Sequence, residues 1–182
     1  MRITTERLVL RKPSLPDAPA VYRLANDRRV TRWMTLPWPY RPEDAVQFVR
    51  MSQREFRKGI GQHFVIERRG DGELLGSVGL MDHRPTHRRA EVGYWLGSEH
   101  WKQGYASEAL GGVLRLAFRD MQLNRVHAVT FPENEASGAV LLRAGFQREG
   151  QHRRHWKHRA RWHDLVIWGL LRNEWDGRQK EG

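Results

Sequence analysis

The 182-residue sequence contains no cysteine. This excludes disulfides, thiolate metal sites and a covalent acyl-cysteine intermediate. Long apolar runs are missing too. None approaches the ~20 residues a membrane-spanning helix requires, and no apolar stretch of signal length follows Met1, so we read the protein as cytoplasmic. No repeat, low-complexity tract or linker divides the chain, and its length favours one domain over residues 1–182. Two phosphate-binding signatures are lacking: no Gly-Lys-Ser/Thr follows the Walker spacing, and the three spaced glycines of a dinucleotide fingerprint do not occur. Acidic residues are in deficit, with 21 Asp+Glu against 32 Lys+Arg and a net charge of +11. A field of that sign attracts acidic partners such as nucleic acid, an acidic protein or a phosphorylated cofactor.

The patterns that are there mix strands and helices. Arg7–Arg11 alternates as a strand, and a helix follows Ser14, Pro16 and Asp17 to about Asn26. Pro37, Pro39 and Pro42 punctuate a loop with Trp33, Trp38 and Tyr40, and a second helix follows with Ala45, Phe48, Val49 and Phe56 on one face. His63–Arg68 and Leu74–Leu80 read as strands joined by an Asp71-Gly72 turn, and Ala90–Leu96 as a third central strand. An amphipathic helix is expected over Tyr105–Asp120, a strand over Arg125–Thr130, and a helix from near Asn134 to a Gly145 cap. Phe146–Trp156 and Trp162–Leu171 read as two closing strands around a basic loop, Lys157–Arg161. The strand–helix–strand unit from Ala90 to Thr130 requires a parallel crossover. The expected fold is α/β (α+β), with a mixed, mostly antiparallel sheet and flanking helices.

Glu91–Ala109, EVGYWLGSEHWKQGYASEA, carries the chemistry. A strand ends at Leu96, a loop holds Gly97 and Gly104, and a helix starts at Tyr105. Free N–H groups at a helix N-terminus, with the helix dipole behind them, favour an anion. Gly104 removes a side chain where the anion would approach, Lys102 adds a cation, and a pyrophosphate suits the site. The plain alternative is a glycine that only makes a turn.

Here the sequence resembles the GNAT acetyltransferases, and within them the ribosomal-protein branch typified by RimJ and RimL. TERLVLR over Thr5–Arg11 is similar to the opening strand of that family and LLGSVGL over Leu74–Leu80 to its third strand. EVGYWL followed by HWKQGYASEAL is similar to the strand and pyrophosphate loop. FPENEASGAVLLRAGFQREG over Phe131–Gly150 and DLVIWGLLRNEW over Asp164–Trp175 resemble the second cofactor-side helix with its following strand, and the closing strand and tail. One departure is Trp101, which stands where the superfamily loop usually has Gln or Arg. The resemblance implies acetyl-CoA as co-substrate and no metal. It implies that Lys102, Gln103, Gly104, Tyr105, Ala106 and Ser107 hold the pyrophosphate, that Tyr94, Trp95 and Leu96 run along the pantetheine arm, and that Asn134 hydrogen-bonds that arm.

Transfer to an amine needs a neutral nitrogen and a leaving thiolate. An α-amine, with a pKa near ~8, needs less help than a lysine at ~10.4. Glu91, at the start of the central strand, is the expected base, against the alternative that it only pairs with Arg88 or Arg89. Many such enzymes carry a tyrosine acid seven residues beyond the asparagine; here that position is Leu141. The resemblance offers Ser137 as a donor to the sulfur instead, the alternative being an ordinary first-turn serine. Trp33, Trp38 and Tyr40 are the candidate walls of an acceptor site, or simply a cover for the sheet edge. His152 and His155, on a strand, are expected on opposite faces. The expected acceptor is a primary amine, the α-amine of an acidic or ribosomal protein, with a small-molecule amine as the alternative. A basic RNA-binding or CoA-sensing module is the rival class, and a homodimer is common in similar proteins.

Overall fold

The computed structural model describes residues 1–34, 36–37, 39–158 and 160–180, with side chains at 178–180 left aside; Trp38 and Arg159 lie outside the described residues. Eight strands form one sheet in the order β1-β2-β3-β4-β5-β6-β8-β7. They are β1 (Arg2–Thr4), β2 (Leu8–Arg11), β3 (Gln62–Arg68), β4 (Leu74–Arg84), β5 (Arg89–Leu96), β6 (Arg125–Thr130), β7 (Gln147–His158) and β8 (Arg161–Leu171). Neighbours pair antiparallel except β5 and β6, which are parallel. The crossover between these two is made by α4 (Tyr105–Arg115), as the strand–helix–strand pattern requires.

Side-chain alternation splits the core into two layers. Phe64 and Ile66 of β3 enter the layer under α4 and α5 (Glu135–Ala144), together with Leu110, Val113 and Leu141. Val65, between them, enters the other layer, under α1 (Ala18–Ala25) and α3 (Pro42–Lys58), with Val21, Leu24, Ala45 and Val49. Local signals set the helix ends. Pro42 opens α3, the Arg41 N–H donates to Asp44 at 2.7 Å, and Gly59 closes the helix at φ 68°. Asn134 caps α5 and Gly145 ends it at φ 100°.

Several boundaries differ from expectation. The helix after Tyr105 leaves α geometry at Leu116 and continues to Asp120 as a π-helical turn. The basic segment expected as a loop is mostly strand, because β7 runs on to His158 and β8 begins at Arg161. Three short elements carry too little periodicity to read: β1, α2 (Arg28–Thr31) and α6 (Arg172–Lys180). Trp175 anchors α6, buried against Phe118 with ring centroids 5.4 Å apart. His152 and His155 do not fall on opposite faces. The β7–β8 register shifts between His152 and Trp156, Arg154 sits at φ 47°, and the two imidazoles come within 4.9 Å. Two extra β7 residues lie between those pairs, and such a bulge breaks the alternation on which that expectation rests.

Candidate functional site

β5 and β6 pair at three positions, Arg89↔Arg125, Ala90↔Val126 and Glu91↔His127. Beyond Glu91 no ladder joins them, although β5 continues to Leu96 and β6 to Thr130. β6 instead holds β8 as far as Thr130↔Val166, while β5 stays paired to β4 up to Leu96↔Gly76. The sheet therefore opens as a fork whose closed end is the Glu91–His127 pair. A cavity of about 340 Å³ lies along the open part, within the range of small-molecule sites. Tyr94, Trp95 and Leu96 of β5 line it, with Lys102 and Gly104–Ser107 at one end, Asn134, Ser137 and Arg143 on the α5 side, and Trp33 and Met34 across the mouth.

The end of the cavity at α4 is built for an anion. Gly104 caps the helix at φ 82° without a side-chain cap hydrogen bond. The first-turn N–H groups have no intrahelical acceptor and point outward with the helix dipole. Lys102 also lies in the left-handed region, at φ 61°, a conformation that costs a non-glycine residue about 1 kcal/mol. The loop is held from outside. Glu108 on α4 accepts from the Thr5 hydroxyl at 2.6 Å and from the Arg7 backbone and side chain, each at 2.7 Å. Burial alone would raise the carboxyl of Glu108, yet these donors hold it below its ordinary value. The Arg7 guanidinium also donates to the Gln103 carbonyl at 3.0 Å and lies over the Tyr105 ring. Trp101 donates its indole N–H to the Leu96 carbonyl at 2.9 Å, which pins the loop back onto β5.

The opposite wall is tied to the same loop. Ser98 donates to Asp27 at 2.5 Å, and Asp27 also caps α2 through the Arg29 N–H. The hydrogen bond from the Arg29 side chain, with that from Ser98, lowers the Asp27 carboxyl to about 2. Buried His100 lines the cavity with an Nε2 that has no hydrogen-bond partner among the described residues.

Most sequence-predicted residues converge here, but not all. Gln103 is absent from the lining; its side chain donates to the Glu99 carbonyl at 3.0 Å. Tyr40 is buried in the layer under α1 and α3, near Tyr22, away from the cavity. Asn134 uses its Oδ1 to accept the Ser137 N–H at 3.3 Å, so that oxygen caps α5. Leu141 is fully buried in the core. Glu91 lies at the fork's closed end, outside the cavity lining, with its Oε2 3.5 Å from His127 Nε2. Neither neighbouring arginine takes it up: Arg89 pairs with Asp82, and Arg88 donates to the Gln122 carbonyl.

Two contributions were not read from the sequence. The Tyr94 hydroxyl lies 3.0 Å from the Ser137 hydroxyl and 3.1 Å from the Ser137 carbonyl. Burial pushes the Tyr94 phenol up to about 12, against a smaller opposing effect of the hydrogen bond with Ser137. Tyr94 therefore keeps its proton throughout the neutral range. The Thr5–Arg7–Glu108 clamp joins residues about a hundred positions apart, which no local pattern can reveal.

Comparison with known proteins agrees with this geometry. Residues 7–147 match the model of the acetyltransferase (GNAT) domain family. The uncharacterized N-acetyltransferase YoaA of Bacillus subtilis is 34% identical over 93% of this chain and 96% of its own. The [ribosomal protein uS5]-alanine N-acetyltransferase of Escherichia coli is 29% identical over 96% of this chain and 93% of its own. The solved structure of Mycobacterium smegmatis RimJ in complex with CoA-disulfide superposes with a TM-score of 0.84 at 29% identity, covering 92% of this chain and 83% of that one. The chain, with its forked mixed sheet, thus belongs to the GNAT acetyltransferase family, as an N-acetyltransferase related to the ribosomal-protein N-acetyltransferases.

Proposed function

We propose that the chain, working as one domain over residues 1–182, moves the acetyl group of acetyl-CoA directly to the N-terminal α-amine of an acidic protein, ribosomal in the first instance. The observation that carries this reading is the fork between β5 and β6. It has a helix N-terminus capped by glycine without a side chain at one end, the Tyr94–Ser137 hydroxyl pair along its wall and Glu91 at its closed end. Its residues fit an acyl-CoA. The α4 N-terminus with Lys102 suits the pyrophosphate. The β5 backbone from Val92 to Leu96 has no strand partner on its β6 side, so it is open to the amides of an extended arm.

In this reading the acceptor ammonium gives a proton to Glu91, directly or through a water. The freed nitrogen lone pair attacks the thioester carbon, the C–N bond forms and the C–S bond breaks. The sulfur leaves with its electron pair and takes a proton from Ser137, whose hydroxyl is backed by Tyr94; the second proton of the acylated nitrogen passes to the Ser137 oxygen, directly or through a water, which leaves a neutral amide and restores the serine hydroxyl. No acyl-enzyme is needed, and the chain has no cysteine to form one. The absence of a stronger acid favours an amine that is already half neutral near pH ~8 over a lysine at ~10.4. The name of the uS5-alanine N-acetyltransferase relative supports a protein α-amine.

The test is a turnover screen on the full chain with acetyl-CoA, read by thiol release. It uses equal-length acidic and basic peptides with free or blocked N-termini, beside small amines. Acidic peptides with free termini should react fastest. Equal reaction of blocked, lysine-containing peptides, or a preference of orders of magnitude for a small amine, would remove the protein-terminus reading. Salt-sensitive RNA binding without turnover would favour the binding-module alternative.

A further inference from the structure

His127 has no role in the chemistry described so far. It lies on β6 directly opposite Glu91, at the last paired position before the fork opens. Its Nε2 is 3.5 Å from Glu91 Oε2. Its Nδ1 is out of reach of solvent and has no hydrogen-bond partner among the described residues. The two ring nitrogens are thus unequal. A proton on Nδ1 would be a buried donor without an acceptor, which forfeits a whole hydrogen bond, whereas a bare lone pair there forfeits less. The favoured tautomer places the proton on Nε2, facing the carboxylate.

The surroundings are consistent with that arrangement. Besides Glu91 from β5, the charged groups near His127 are Glu149 from β7, whose carboxyl senses it electrostatically, and Arg125 of its own strand, which pairs with Glu149. β8 presents Gly169 opposite His127, without a side chain. The Glu149 charge is therefore taken up by Arg125, and Glu91 is the carboxylate left facing Nε2. Both members of the pair are only partly exposed, 17% for the His127 side chain and 30% for that of Glu91. A distance of 3.5 Å is long for a hydrogen bond, and such contacts tighten when substrate binds.

We propose that His127 is a positioning residue for Glu91: its Nε2–H holds one carboxylate oxygen at the closed end of the fork and leaves the other to receive the acceptor's proton. His127 keeps its own proton throughout and acts only through Glu91. This rests on the reading of Glu91 as the base. The parallel register makes the arrangement specific, because a one-residue slip of β6 would turn His127 to the other face of the sheet, away from Glu91.

The experiment compares His127→Phe, His127→Gln, Glu91→Gln and the double variant His127→Phe/Glu91→Gln. It uses the full chain with acetyl-CoA and a peptide bearing a free α-amine. Acetyl-CoA affinity and thermal midpoint are followed beside turnover, so that loss of fold is recognised. His127→Phe should lower kcat about 10- to 100-fold, the scale of a misplaced catalytic group, with acetyl-CoA binding unchanged. His127→Gln, which can still donate an N–H, should recover part of the loss. In the Glu91→Gln background His127→Phe should cost almost nothing further. A full, additive loss in that background, or no recovery by His127→Gln, would overturn the positioning role alone. If Glu91→Gln itself leaves kcat intact, the base assignment falls and the positioning role falls with it.

Discussion

The hydroxyl of Tyr94 on β5 stands 3.0 Å from that of Ser137 on α5, so a strand edge and a helix meet through two protons beside the cavity. Either oxygen can donate, but Tyr94, raised to about 12 chiefly by burial, stays protonated at neutral pH. It can therefore donate to Ser137 and leave the serine proton free to turn toward a sulfur. Tyr94→Phe and Ser137→Ala should each lower kcat by about 10-fold while acetyl-CoA affinity changes little. The double variant should be hardly worse than either single one, because groups acting as a unit are not additive. Steady-state kinetics with isothermal titration of acetyl-CoA check this. Independent, multiplying losses would mean that the two hydroxyls do not form one path.

Gly104 makes a second prediction. At φ 82° it adopts a conformation L-residues avoid, and an added Cβ would meet the Arg7 guanidinium at 3.2 Å. Any substitution therefore strains the loop, and Gly104→Glu alone cannot separate strain from charge. Gly104→Ala should cost about 1 kcal/mol of stability from the backbone and weaken acetyl-CoA modestly. Gly104→Glu should cost similar stability yet abolish the rise in melting temperature that acetyl-CoA gives by binding only the folded state. Thermal shifts over an acetyl-CoA titration compare the two. Equal residual shifts would show that no anion sits against this end of α4.

Asp17 sets a pH dependence on stability. It is nearly buried, accepts two hydrogen bonds from Arg11 at 2.8 Å and one from the Ser14 N–H at 2.7 Å. Burial alone would raise its carboxyl, but Arg11 and Ser14 outweigh that and hold it below its ordinary value. A lowered folded value means the stabilisation is complete above the unfolded carboxylate's ~3.9 and is lost as pH falls through the folded value. Asp17→Asn should destabilise by about 2 kcal/mol at neutral pH, less than a fully buried pair because Arg11 is partly exposed and also holds Glu67. Urea midpoints of wild type and variant should converge as pH falls below the unfolded carboxylate's ~3.9 and on through the lowered folded value. A gap that persists unchanged in acid would assign the loss to packing rather than to the ion pair.

Residues whose signal is local were legible in the sequence. Arg125–Thr130 is a strand of those bounds, and Asn134 and Gly145 frame α5, because β-alternation, caps and left-handed glycines act within a few positions. The Gly104 cap follows from the strand–loop–helix order, and Tyr94–Leu96, which the family resemblance implied along the cofactor arm, line the cavity. What escaped depends on contacts distant in the chain or on broken periodicity. Tyr94 meets Ser137 across 43 positions, and Glu91 meets His127 only because β5 and β6 run parallel in that register. Tyr40 sits in an aromatic, proline-rich segment that reads as a wall, yet its ring fills a gap between α1 and α3. The β7 bulge at Arg154 defeats a face assignment for His152 and His155 based on alternation.

The last prediction concerns the β7–β8 hairpin. β7 is an edge strand exposed from Gln147 to Lys157, and it carries Arg148, Arg153, Arg154 and Lys157. Such charges protect an edge from pairing with other strands, but they also build a field. The hairpin reaches the open end of the fork: His163 of β8 stacks edge-on against Phe131, the residue that follows β6, at 5.2 Å. An acidic acceptor arriving there would be steered before it is bound. Steering acts on encounter, so kcat/KM for an acidic peptide should fall with ionic strength while kcat changes less. Reversing Arg153, Lys157 and Arg161 to glutamate should lower kcat/KM at low salt by about 10-fold and flatten its salt dependence. A neutral peptide should notice neither change. Initial rates at several salt concentrations with the two peptides decide it. If the charge-reversed chain keeps its rate on the acidic peptide at low salt, the acceptor approaches by another surface and the net charge of +11 serves something other than acceptor capture.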